Sequence, residues 1–321
     1  MNVKEAKVYF RGILANVDSS ILQLNFNYGF KIESFSEEEA ITIFSKLEKI
    51  PEVIAARSLV EKYFLSYRCL NDFEQRIYTI SNSFDVPSLN SPEIHSEIMK
   101  FDNTVVVRHL EPIVRLMRLF KEGDIRIPVK FYYLIQNGGI QEEMRIEDRE
   151  YVSNEPYHLE ASEIPILQSF VQSVQLPFRR DFLHLAFENF ELSYRIQVAE
   201  LAFLVLMIGL ETLFNPSENE VRHRISRNMA VLLGEDRKDS KEIFIEAKRL
   251  YKKRSDIVHS GKRGTVKREE LLRLRDYLRK AIKEIHRLDK KKPEIMDLLD
   301  SYGLGEGNEI LNLSAIHGHH R

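Results

Sequence analysis

The stretch Tyr251-Lys-Lys-Arg-Ser-Asp-Ile-Val-His-Ser-Gly261 holds the constellation in this sequence with the residue types of an acid/base site: Arg254 and His259, five residues apart. An imidazole, with an ordinary pKa of about 6.5, takes up and releases a proton near neutral pH. A guanidinium keeps its charge and presents a fork of donors suited to phosphate oxygens. Cleaving RNA without a metal requires a base for the 2′-hydroxyl proton, an acid for the leaving 5′-oxygen and positive charge for the developing phosphorane. One chain offers one histidine in the motif for two of those roles.

These side chains need a helix to hold them. Ile243, Ala247, Leu250 and Ile257 recur at helical spacing, with Phe244, Tyr251 and Val258 beside them. Arg254 takes the next slot in that stripe, so its guanidinium must reach out along its own stem or meet an anion, because an unpaired buried charge costs several kcal/mol. An offset of five residues is about 140° around a helix and roughly 7.5 Å along it, so Arg254 and His259 do not share a face but can converge near a helix end. Ser260-Gly261 supplies that end. The helix is predicted from a cap at Asp239 to His259. Helices over about 178–190 and 192–214 precede it, then one capped by Ser217 and running to Gly234; another over 266–288 follows. The 192–214 helix is apolar nearly all round and is expected to be the most buried, with Glu200 and Glu211, eleven residues apart, on one face of it.

Three blocks in order, Ile208-Gly-Leu-Glu-Thr-Leu-Phe214, Glu220-Val-Arg-His-Arg-Ile-Ser-Arg227 with Ala230-Val-Leu-Leu-Gly234, and Tyr251 to Gly261, resemble those of the Apea-like HEPN family over about residues 178–290. The resemblance implies an all-α HEPN-type bundle and a metal-independent endoribonuclease with an R-x4-H motif, in the setting of a toxin or phage-defence effector with an antitoxin or regulatory partner. It also implies a homodimer that brings two motifs into one cleft, which answers the shortage of histidines. Arg254 and His259 are then the catalytic residues, supported by Ser255 and Asp256. The wider family favours Asn, Asp or His directly after the Arg; Ser255 stands there instead, as in the Apea-like branch. Glu211, matching the acidic residue of the Gly-Leu-Glu block, is expected to orient Arg254 or Arg227. Lys252, Lys253, Lys262 and Arg263 flank the motif and are candidates to hold the RNA backbone with salt-dependent affinity. No cofactor or metal is expected; His317-Gly-His-His320 reads as a tail without carboxylate or thiolate support. Two alternatives remain open: a non-catalytic HEPN module that binds RNA or nucleotide, and a protein-interaction domain whose basic face meets an acidic partner.

Charge distribution favours an anionic partner. The chain is near neutral, with 47 Lys and Arg against 49 Asp and Glu, but Lys248 to Lys292 holds 18 basic and 6 acidic residues. That net of +12 leaves the rest at 29 against 43. At 321 residues, 43% apolar and 30% charged, the chain has room for two domains of ordinary globular composition. The single cysteine, Cys69, excludes an internal disulfide framework and suits a reducing compartment. The N-terminal residues lack the apolar core of a signal peptide, and the longest apolar run, Leu201 to Leu210, is about half a bilayer span, so a cytoplasmic protein is expected.

The expected fold class is α+β, with an α+β domain of unknown role over 1–160, the helical bundle over 161–292 and a tail over 293–321. Residues 5–16 and 20–34 alternate as two strands around a turn, and Ser36-Glu-Glu-Glu39 caps a short helix. Arg76 to Ile80 reads as a strand, Asn82 to Pro92 as a loop, Phe101 to His109 as a strand and Glu111 to Phe120 as a helix. Ile125 to Gln136 is a long strand whose Asn137-Gly-Gly139 signals a hairpin. No phosphate loop, paired metal ligands or nucleophile elbow occurs in this half.

Overall fold

The computed structural model describes residues 5–36, 76–87, 94–136, 139–146, 157–215, 220–261 and 264–303. Cys69, the helix expected after Ser36, Lys262, Arg263 and the terminal histidines lie outside them. The chain divides into two compact units, Met1–Gln175 and Leu176–Arg321. It is of the α+β class.

The first unit is built on an antiparallel sheet of β1 (Glu5–Ala15), β2 (Lys31–Ser36), β3 (Arg76–Pro87), β4 (Arg126–Gln136) and β5 (Gly139–Ile146), in the order β2-β3-β1-β4-β5. Alternation along the strands turns Val8, Phe10, Tyr78, Ile80, Tyr132 and Leu134 to one side, where they form a core with Phe101, Val106, Leu110, Ile113 and Met117. Ile13, Val129 and Phe131 form a smaller buried cluster from the alternate positions. The hairpin signal holds: Gln136 pairs with Gly139 across β4 and β5.

Three expectations fail in this unit for physical reasons. Residues 5–16 and 20–34 are not a strand pair, because Asp18 accepts the Ser20 N–H and caps a 3₁₀ turn over Ser19–Gln23, while β2 pairs with β3 instead of β1. The segment from Asn82 is not a loop; β3 runs on to Pro87 beside β1. Phe101 to His109 is not a strand. α1 (Ile94–Phe101), a π-helical stretch Asp102–Leu110 and α2 (Glu111–Phe120) follow one another directly. The β-branched run Thr104-Val-Val-Val107 imitates a strand, but burial falls on Phe101, Asp102, Val106 and Leu110, a helical pattern. Asp102 anchors it, accepting from the Tyr132 hydroxyl and pairing with Arg145.

The boundary is also later than expected. α3 (Glu163–Ser173) belongs to the first unit: Ile164 and Leu167 enter the sheet's core, Phe170 lies 5.8 Å from Phe120, and Glu163 accepts from Lys121 at 2.5 Å.

The second unit contains α4 (Asp181–Ser193), α5 (Ala199–Phe214), α6 (Val221–Leu233), α7 (Arg237–Ser260), α8 (Arg268–Leu288) and α9 (Lys292–Gly303). α5 buries Phe203, Leu206, Leu210 and Leu213, and its Gly209 admits Leu278 of α8 so closely that an added Cβ would lie 2.7 Å from that side chain. It is not buried all round, as its composition suggested: Leu201 is 51% and Ile208 43% exposed. Nor does the bundle end at 292. Ile295, Met296 and Leu299 of α9 are buried, and Arg227 of α6 bonds Asp300 at 2.6 Å, so 293–303 are part of the packed unit. Among the described residues no helix is long and apolar enough to cross a membrane.

Candidate functional site

α7 carries the motif. The side chain of Asp236, not Asp239, caps it by accepting the Asp239 N–H at 2.8 Å. Its four buried residues are Ile243, Ala247, Leu250 and Ile257, the stripe read from the spacing. Gly261 closes the helix at φ 62° with its N–H on the Ile257 carbonyl, a left-handed position that favours glycine.

Arg254 meets an anion from that stripe. Its Nε lies 3.3 Å from Glu211 Oε1 on α5, and its guanidinium is 5.8 Å from the Tyr251 ring centroid. That carboxylate oxygen is buried, yet among the described residues no donor is aligned on it as a hydrogen bond, so its contact with Arg254 is an ion pair only. Burial pushes the Glu211 carboxyl above its ordinary range, and the Arg254 charge opposes this without cancelling it. Burial, and then the Glu211 charge, likewise raise the Tyr251 phenol. No hydrogen bond between described residues engages the Arg254 guanidinium. Arg227, the other arginine considered for Glu211, is bound to Asp300.

His259 is exposed in the last turn of α7. Ser255 is half-buried; Asp256 is exposed, and its carbonyl accepts from the Ser260 hydroxyl. Glu200 and Glu211 do share an edge of α5. Glu211 reaches Arg254, and Glu200 accepts the Thr265 N–H at 3.1 Å; its own backbone amide first, then those of Thr265, Gly264 and Val266, hold its carboxylate down in pKa against partial burial.

The two described lysines expected to hold an RNA backbone differ in availability. Lys252 is exposed. Lys253 is not available: its ammonium bonds Glu270 at 2.5 Å and the Thr265 carbonyl at 2.8 Å. Its place on α7 turns it inward toward α8, where Glu270 also takes Arg249 and the Lys267 N–H. Burial would raise the Glu270 carboxyl, but Lys253, the Lys267 amide and Arg249 bring it down to about 2. Glu246 extends the network to Arg249 and Arg273. One half of a capping box is present: Glu270 at the third helical position accepts the Lys267 N–H at 2.9 Å and pins the loop after α7 to the start of α8. A lysine at the cap has no acceptor to return the bond, so the sequence carried no capping-box signature here.

His223 of α6 meets the Phe244 ring edge-on at 5.6 Å. Among the described residues no group of three or more His, Cys, Asp or Glu side chains could hold a metal ion. Among the described residues the arrangement offers a guanidinium paired with one carboxylate and with no hydrogen bond on its donors and, within two turns, an imidazole open to solvent. No protein-family model, curated protein or solved structure matches this chain.

Proposed function

We propose that the second unit is a metal-independent endoribonuclease of the HEPN type. The observation that carries this reading is the Arg254 guanidinium, held by Glu211 from the neighbouring helix while no hydrogen bond from another described residue engages it, followed by an exposed His259 at a glycine-capped helix end. An arginine fixed for structure alone would spend its donors inside the protein, as Arg275 does on Ser193. The most basic part of the chain surrounds the pair.

In this reaction the RNA 2′-oxygen attacks the adjacent phosphorus, and the bond from phosphorus to the 5′-oxygen breaks. One His259 takes the 2′-hydroxyl proton, a second protonates the leaving 5′-oxygen, and Arg254 stabilises the charge that builds on the phosphorane oxygens. The products carry a 2′,3′-cyclic phosphate and a 5′-hydroxyl. Two histidines require two chains. Leu201 and Ile208 are exposed one above the other on α5, whose Glu211 meets Arg254, and Val258 of α7 is 50% exposed; these residues support an apolar seam between two copies.

One observation favours the non-catalytic alternative: among the described residues no hydrogen bond orients the His259 imidazole, as one would in a preorganised base. Incubating purified protein with mixed cellular RNA and tRNA in excess EDTA separates the readings. Cleavage by wild type, with a loss of about 100-fold or more in Arg254→Ala and His259→Ala, supports the nuclease. Equal inertness of three folded, dimeric proteins supports a binding module.

A further inference from the structure

The cations of α7 are sorted by side. Helical periodicity puts Asp239, Glu242 and Glu246 on the flank facing α8, where Glu246 and Glu270 engage Arg249, Arg273 and Lys253. On the opposite flank Lys241, Lys248, Lys252 and His259 follow at offsets of seven, four and seven residues, with Phe244 and Ser255 between them. Among the described residues no carboxylate pairs with any of those four side chains, and Asp256 is the one acidic residue of α7 bordering the row. The row is about 27 Å long at 1.5 Å per residue.

Rings accompany the charges. Lys248 Nζ lies 5.1 Å from the centre of the half-buried Phe244 ring, and the exposed His223 of α6 stands across it at 81°. Two rings in perpendicular planes beside a line of ammonium groups fit a chain that has both phosphates and flat bases. An acidic peptide would use the charges and leave the rings idle.

We propose that this outer face of α7, with His223 beside it, is a track for single-stranded RNA that leads the strand to His259. The phosphates pass Lys241, Lys248 and Lys252, and a base stacks at the Phe244–His223 pair. The track rests on the nuclease reading only for its destination; binding along it can be tested without cleavage.

The test is fluorescence anisotropy with a labelled single-stranded 2′-O-methyl oligoribonucleotide, whose blocked 2′-oxygen cannot attack. Lys241→Gln and Lys248→Gln are each expected to weaken binding several-fold and to reduce the slope of log affinity on log salt by about 0.7. His223→Ala and Phe244→Ala are expected to lose roughly tenfold, and Lys290→Gln, an exposed charge off the track, to bind as wild type does. His223 is exposed, so its substitution tests stacking even if Phe244→Ala fails to fold. Wild-type affinity in both the lysine variants and His223→Ala overturns the track, even if Arg254→Ala and His259→Ala abolish cleavage. No binding by wild type overturns it too, as does polyglutamate binding of equal strength that is insensitive to His223→Ala, which would assign the face to an acidic protein. Loss of binding in the track variants with no cleavage by any protein leaves the track standing and removes the nuclease.

Discussion

Arg254 sits in a slot where periodicity asks for leucine, and Glu211 is the physical answer to that misfit. The answer costs stability. Because burial holds the Glu211 carboxyl above its unfolded value, its contribution to folding is most favourable in acid and is lost as pH rises through its folded pKa. Glu211→Gln mimics the protonated form. Thermal melts from pH 4 to 8 are therefore expected to show the variant gaining on wild type as pH rises, while RNA cleavage falls about tenfold because Arg254 has lost its anchor. A melting difference that is flat with pH would contradict this account. That the Arg254 guanidinium must reach out along its stem or meet an anion was legible from one helical stripe. That Lys253, its immediate neighbour, points inward was not, because α8 supplies Glu270 and only packing brings α8 there.

At the scale of elements, the end of α7 is set by a local and a distant device. Gly261 is local and was readable as a cap. Glu270 is distant, joining α7, the loop at Thr265 and the start of α8 through Lys253, Arg249 and the Lys267 N–H. Its carboxyl lies below its unfolded value, at about 2, so the stability it contributes is present above the unfolded pKa and is lost as pH falls toward that value. Glu270→Gln is expected to cost about 2 kcal/mol in urea unfolding at neutral pH, with the gap to wild type closing as pH is lowered from about 5 to 3. A constant gap would mean that the loss reflects shape and not charge. Misreadings in the first unit have the same origin. Thr104 to Val107 has strand propensity, yet the buried Asp102 contacts to Tyr132 and Arg145 hold the segment helical.

For the whole molecule, the exposed Leu201 and Ile208 are the test of assembly. In the proposed nuclease dimer, Leu201→Glu and Ile208→Glu are expected to yield a monomer in light scattering, with unchanged helix content by circular dichroism and loss of the proposed cleavage, since each monomer then has one His259. A dimer that survives both substitutions moves the seam elsewhere. By itself the sequence determined the α+β class, the β4–β5 hairpin, the stripe that seats α7, its end at Gly261 and the shared edge of Glu200 and Glu211. These follow from period, turn chemistry and spacing within one segment, which backbone geometry imposes locally. Tertiary structure decided the strand order β2-β3-β1-β4-β5, the docking of α3 in the first unit and of α9 on α6, the choice of Arg254 as the partner of Glu211, and the division of α7's cations into paired and open rows. Each depends on which distant segment supplies the neighbouring surface, and burial energy is settled between surfaces, not along the chain.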